Sequence, residues 1–164
     1  MNKGVLTFFC GKMGAGKSTK SRKISQKTNA VLLSEDEWLE SLYPNKIASL
    51  ENYIKYSNQL KPPIKKLVQS ILVTGTDVVM DFPANTISQR KWFRNIFSEV
   101  EAPHNLVYID LPNKICLEQI EKRYIEQPER AATDTAEMFE QVTKHFVEPA
   151  SEEGFNITII ERNA

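Results

Sequence analysis

Cysteine and histidine are scarce in this chain of 164 residues, with two of each, Cys10, Cys116, His104 and His145. Two cysteines cannot staple a small secreted scaffold, so both read as reduced thiols and the expected compartment is the cytoplasm. The histidines stand apart and join no Cys or His cluster at zinc spacing, nor do they support a Ser-His-Asp arrangement. His104, beside Pro103, reads as a loop residue before a strand. No apolar run approaches the ~20 residues that span a bilayer, so no membrane association is expected. The first apolar stretch, Val5 to Cys10, is too short for a secretory signal. Repeats, low-complexity stretches and charged tails are also missing. Hydrophobic residues at 41% and charged residues at 26% exclude intrinsic disorder, and the length fits one domain over residues 1–164.

Net charge is absent as well, because 21 basic residues balance 21 acidic ones. The balance is not local. Residues 1–34 contain seven basic side chains and no acidic one, leaving 14 basic and 21 acidic residues, a net of −7, in the remainder. A positive end on a neutral protein suits a small anionic ligand better than a long polyanion, which disfavours nucleic acid as a partner. A solvated basic helix face accounts for part of the same pattern.

What is present is an alternation of strands and helices. Val5–Cys10, Ala30–Leu33, Asp77–Phe82, Asn105–Asp110 and Asn156–Ile160 are short apolar runs without two-residue alternation, as expected of parallel strands covered on both faces. Helical patterns fall between them. Residues 17–28 follow the first strand. Leu60, Ile64, Leu67, Val68, Ile71 and Leu72 form a stripe at helical spacing, closed by Gly75. Ile87, Trp92, Phe93, Ile96 and Phe97 suggest a further helix. Another carries Ile115, Ile120 and Tyr124, with Pro112 in its first turn, and a last one carries Phe139, Val142 and Phe146 up to Pro149. The rhythm predicts a three-layer α/β domain with a parallel sheet. Residues 43–59 and 126–135 break it and read as loops over a site.

Gly11-Lys12-Met13-Gly14-Ala15-Gly16-Lys17-Ser18 satisfies G-x-x-x-x-G-K-[ST] at every fixed position. A strand ends before it and helical sequence starts at Lys17, the context a phosphate-binding loop requires. Glycines let the backbone wrap closely enough for successive N–H groups to face phosphate oxygens, and the helix start adds its positive end. Lys17 would reach the β- and γ-phosphates of ATP, and Ser18 would ligate Mg²⁺. Met13, Ala15 and Thr19 complete the candidate nucleotide-binding set.

Two carboxylates follow strands. Asp81 closes Val78-Val79-Met80 and would sit at the carboxyl edge of the sheet, as a second metal-side group or as a helix N-cap or turn residue. Asp36 lies just past the second strand, where ligands bind in parallel α/β sheets. It can accept the proton of an attacking hydroxyl, or serve, like Ser34, as a helix N-cap. Arg123 and Arg130 flank Tyr124–Glu129, and a loop carrying them over residues 123–135 could stabilise charge on a transferred phosphoryl group. Arg123 could instead pair with Glu121 or Glu126. Tyr53, Tyr56 and Trp38 read as packing residues in preference to an aromatic wall, and Cys10 as a buried strand-end thiol.

On these residues the chain resembles the small P-loop phosphotransferases grouped around the 5′-kinase domain of polynucleotide kinase, zeta-type toxins and chloramphenicol phosphotransferase. Gly11 to Thr19 is similar to their phosphate loop, Asp36 to their base toward the acceptor hydroxyl, and Val78–Phe82 to their third strand. Arg123 and Arg130 fall where their lid arginines lie, and Phe146-Val147-Glu148-Pro149 resembles the segment after the lid. The resemblance implies an adenylate-kinase-like P-loop NTPase fold with a central five-stranded parallel sheet and a small lid segment. It also implies ATP- and Mg²⁺-dependent phosphoryl transfer to a small-molecule hydroxyl. Where polynucleotide kinases and zeta toxins carry an arginine three residues after the base, this chain has Leu39, and Leu42-Tyr43-Pro44 looks more like the apolar edge of antibiotic-modifying members. Two other readings stay open: a nucleotide, nucleotide-sugar or 5′-hydroxyl nucleic-acid kinase, and a nucleotide-binding regulatory protein.

Overall fold

Apolar side chains leave both faces of the sheet, which explains why the strands read as unbroken apolar runs. A computed structural model describes residues 2–128 and 134–161. Strands β1 (Leu6–Cys10), β2 (Val31–Ser34), β3 (Val78–Pro83), β4 (His104–Asp110) and β5 (Ile157–Glu161) form one sheet in the order β2-β3-β1-β4-β5. Every neighbouring pair is parallel. Leu6, Phe8 and Cys10 enter the core shared with helices α2 (Glu35–Leu42), α3 (Leu50–Leu72) and α4 (Ile87–Glu99). Phe9 enters the opposite core, with residues of α1 (Lys17–Thr28), α5 (Asn113–Glu126) and α6 (Ala136–Thr143). The three layers and the five-stranded parallel sheet of a P-loop NTPase are therefore present. β5, at the sheet edge, is only partly covered, and Ile159 is 58% exposed.

The largest departure from the sequence pattern lies in residues 43–59. Ser49 accepts the Asn52 N–H at 3.1 Å and starts a 23-residue helix, α3, so residues 50–59 are helical and only the preceding stretch connects. Pro62 and Pro63 lie inside it. Each lacks an N–H and costs about 3 kcal/mol or more in a helix interior. Both prolines are exposed, as are Asn58 and Gln59, whose carbonyls lose their helical partners to solvent. Burial of Leu60, Ile64, Val68 and Leu72 on the opposite face, at about 1.5–3 kcal/mol each, offsets a penalty of that size.

Smaller differences have local causes. Pro112 is the N-cap of α5, one position before the first turn. α6 stops at Thr143, and Phe146 packs from the chain that follows. His104 opens β4, with its ring 3.9 Å from that of Phe97 and Nε2 accepting the Asn156 N–H at 3.0 Å. Cys10 and Cys116 are both buried, and burial pushes the Cys10 thiol up to about 12, against the pull of Arg90 and Lys17. Such a thiol stays protonated and unreactive. No helix among the described residues is long and apolar enough to cross a membrane.

Candidate functional site

The turn between β1 and α1 is built by glycine conformations that other residues adopt at a cost. Gly14 has φ +82 and Gly16 has φ +97. Gly14 is also a point of close approach, since a Cβ there would meet Cys116 O at 2.6 Å and Ile120 Cγ1 at 2.7 Å. α5 thus lies against the loop. Gly16 is the N-cap of α1, so the helix begins at Lys17 with its dipole end toward the cradle. Two contacts fix the start of the loop. The Gly11 N–H donates to Asn85 Oδ1 at 2.9 Å, and Lys12 Nζ donates to Asn113 Oδ1 at 2.8 Å while lying 5.7 Å from the centre of the Phe146 ring. Ala15, buried, donates its N–H to Lys12 O at 3.0 Å. Met13 is half-buried against the α5 side, and Thr19 is exposed.

Lys17 curls back into the loop. Its Nζ donates to Gly11 O at 2.6 Å and Lys12 O at 3.3 Å. Burial holds its pKa below the usual lysine range, with Asp81 opposing and Arg123 adding to the decrease. An ammonium short of solvent and bonded only to carbonyls gains strongly from an arriving anion. The Ser18 hydroxyl donates to Asp81 Oδ2 at 2.7 Å. Asp81 lies within β3 beside Ser34 of β2. Burial raises its carboxyl pKa, and the Ser18 hydrogen bond and Lys17 pull against that rise.

Ser34 ends β2 and α2 starts at Glu35, which puts Asp36 in the first helical turn at the same sheet edge. Ser34 is the N-cap, without a side-chain capping bond, so Asp36 does not fill that role. Asp36 is exposed, and its charge reaches Asp81. Glu35 points the other way, 4% exposed, accepting from Tyr53 Oη and from Ser57 Oγ at 2.9 Å. Burial raises Glu35 to about 7 against those two hydrogen bonds, and Asp36 adds to the rise. Tyr53 is thereby committed to packing. Tyr56 packs against Tyr43 with ring centres 4.4 Å apart and planes tilted by 32°, and Trp38 lies against the core.

Arg123 pairs with neither Glu121 nor Glu126. Its Nε and Nη2 each lie 2.7 Å from a carboxylate oxygen of Asp134. Arg130 lies outside the described residues. The basic stretch of residues 1–34 also divides: Lys12 and Lys17 belong to the loop, Arg22, Lys23 and Lys27 are exposed on α1, and Lys3 donates to Val100 O. The sheet edge therefore gathers Lys17, Ser18, Asp81 and Asp36, with α5 bringing Arg123 over the loop. Asn85, Glu35 and Asp134 were not singled out by sequence. Asn85 had the weak signal of standing just past a strand at the carboxyl edge, whereas an acidic run such as Glu35-Asp36-Glu37 reads as solvated.

Ser18 and Asp81 present two hard oxygen donors in contact, the donor type Mg²⁺ takes. Among the described residues no group of three or more His, Cys, Asp or Glu side chains could hold a metal. These two residues therefore suit a cation completed by nucleotide phosphates.

The sheet order and this cradle define a P-loop NTPase. The chain belongs to the AAA domain family, which matches residues 6–160. No curated protein gives a significant sequence match. Among solved structures the chain is similar to the Mycobacterium tuberculosis APS kinase CysC in complex with AMPPNP and APS (14% identity, TM-score 0.63, 100% of this chain and 91% of that one). It is also similar to Kti12 of Chaetomium thermophilum in complex with ADP-AlF3 (15%, 0.68, 95% and 88%) and to a sugar kinase from a Janibacter species (12%, 0.63, 98% and 86%). These likenesses establish the P-loop kinase-like fold that the sequence resemblance implied.

Proposed function

We propose that the protein is an ATP-dependent phosphotransferase that moves the γ-phosphoryl group to a hydroxyl of a small-molecule acceptor. The observation that carries this reading is the exposed Asp36 on the first turn of α2, at the sheet edge that holds Lys17, Ser18 and Asp81. A slow hydrolase or switch needs the cradle; a carboxylate open to solvent beside it suits an incoming hydroxyl.

Lys17 and the loop N–H groups bind the phosphates. Ser18 and Asp81 would hold Mg²⁺, which would supply charge neutralisation to the phosphates. Asp36 accepts the acceptor's proton, the acceptor oxygen bonds to the γ-phosphorus, and the bond to the bridging oxygen breaks, leaving ADP. Arg123 stabilises charge on the transferred group, with Arg130 as its proposed companion in the segment 123–135.

Leu39, three residues after Asp36, is 4% exposed in the core, and so supplies no cation to an acceptor phosphate. Leu42, 52% exposed, and the Tyr43–Tyr56 pair form an apolar edge at the end of the same short helix. Both features support an unphosphorylated small acceptor in preference to a polynucleotide. The test is acceptor-stimulated ADP formation from Mg-ATP over nucleosides, nucleotide-sugars, 5′-hydroxyl oligonucleotides, sugars and hydroxyl-bearing antibiotics. Asp36→Asn should lower stimulated turnover roughly 10²–10⁴-fold while leaving ATP binding in place. Full transfer by Asp36→Asn would remove the base assignment, and ATP binding with no stimulation by any acceptor would favour a regulatory nucleotide-binding protein.

A further inference from the structure

Arg123 near the end of α5 and Asp134 just before α6 are joined by two parallel hydrogen bonds, Nε to Oδ2 and Nη2 to Oδ1, both 2.7 Å. The pair is not an ordinary surface contact. Asp134 is 2% exposed, and the two residues are 11 positions apart in sequence. A buried carboxylate depends on its cation, and the two-pronged contact fixes the guanidinium in plane and direction as a single hydrogen bond would not. The Nη1 edge of Arg123 lies outside the pair.

The direction of the guanidinium matters because of where α5 lies. The loop packs against this helix at Gly14, beneath Cys116 and Ile120, and a Cβ on Gly16 would stand 3.9 Å from Gln119 Oε1. Arg123 follows Ile120 by three residues and Gln119 by four, so it continues the same helix face one turn on. Its charge is felt at Lys17, whose pKa is lowered by burial first and by Arg123 in addition.

We infer that Asp134 is a positioning residue, holding Arg123 by its Nε–Nη2 edge so that the remaining edge of the guanidinium faces the charge that develops on the transferred phosphoryl group. This inference rests on the phosphotransferase reading given above. A group fixed before the reaction needs no reordering as charge develops, which is where such contacts act most strongly.

The test compares affinity for Mg-ADP, representing the ground state, with affinity for Mg-ADP plus aluminium fluoride, representing the phosphoryl group in transfer. Full-length wild type, Asp134→Asn, Arg123→Ala and the double variant are titrated, with thermal melting beside each. Asp134→Asn and Arg123→Ala should each weaken the fluoride complex roughly 10- to 100-fold while Mg-ADP affinity changes about twofold or less. The double variant should be no worse than the poorer single one, because both remove the same interaction. Where Asp134→Asn melts too low to titrate, Asp134→Glu keeps the charge at a different reach and should show the same split. Equal weakening of both complexes by the Asp134 variant, or its full additivity with Arg123→Ala, overturns the inference alone. A wild type that binds Mg-ADP no more tightly with aluminium fluoride overturns the phosphotransferase reading and this inference with it.

Discussion

The Ser18 hydroxyl donates to Asp81 Oδ2 across 2.7 Å, joining the first residues of α1 to the middle strand of the β2-β3-β1 half-sheet. On the proposed phosphotransferase reading these two oxygens would take a small hard cation together, with nucleotide phosphates supplying its further ligands. Asp81→Asn should therefore remove the gain in ATP affinity that Mg²⁺ provides, by roughly 10- to 100-fold, and change metal-free binding much less. Titration of a fluorescent ATP analogue with and without Mg²⁺ checks this. An undiminished Mg²⁺ effect in the variant would show that Asp81 takes no part in holding the metal.

Glu35 makes stability fall as pH rises. The unfolded chain releases this proton near the ordinary value of 4.5, whereas the folded one keeps it up to about 7. Between those values the folded state binds more protons, so each step upward in pH favours unfolding. Glu35→Gln removes the charge and keeps one oxygen to accept from one of the two hydroxyls of Tyr53 and Ser57, while its Nε2–H can donate to the other. The variant should melt several degrees above wild type at pH 8, reflecting up to about 3 kcal/mol. The difference should fade toward pH 4.5. Parallel melting curves across that range would place the Glu35 carboxyl in an ordinary, solvated state.

Gly14 and Gly16 share positive φ but differ in their surroundings. An alanine at Gly16 meets strain alone, since its Cβ stands 3.9 Å from a flexible glutamine oxygen. At Gly14 the added carbon strikes the Cys116 carbonyl at 2.6 Å. Positive φ costs a non-glycine residue about 1–3 kcal/mol. Gly14→Ala should exceed that range and Gly16→Ala should stay within it, as read from nucleotide-free denaturant unfolding. Equal losses would mean that α5 yields easily to the loop.

The strands were legible because burial on both faces leaves an unmistakable trace, an apolar run that ends where the chain turns. The phosphate loop was legible for a different reason: few residue types allow a backbone to wrap an anion, so Gly14, Gly16, Lys17 and Ser18 mark it by themselves. The first half of α3 was hidden because its covered face carries Tyr53 and Ser57, turned toward Glu35, in place of the aliphatic stripe that marks Leu60 to Leu72. The edge strand β5 reads like a central one, since apolar content does not record how many neighbours a strand has.

The residues around the loop were less legible. Asp36 and Asp81 could be placed at the sheet edge from the strands that precede them. Nothing local separates Glu35 from Asp36, yet one is buried and the other faces solvent, because successive residues on a helix point about 100° apart and only the position of α3 decides which is covered. Arg123 offered two sequence-near glutamates as partners and took Asp134.

The amino-acid order by itself determined the parallel α/β architecture, the phosphate cradle and the chemical types available at the sheet edge, because each depends on short-range periodicity or on backbone freedom. The tertiary structure alone decided which carboxylate meets Ser18, which is shut away beneath α3, and which one fixes Arg123. Pairings between residues 11 to 63 positions apart are set by how helices settle on the sheet, and no local pattern records that geometry.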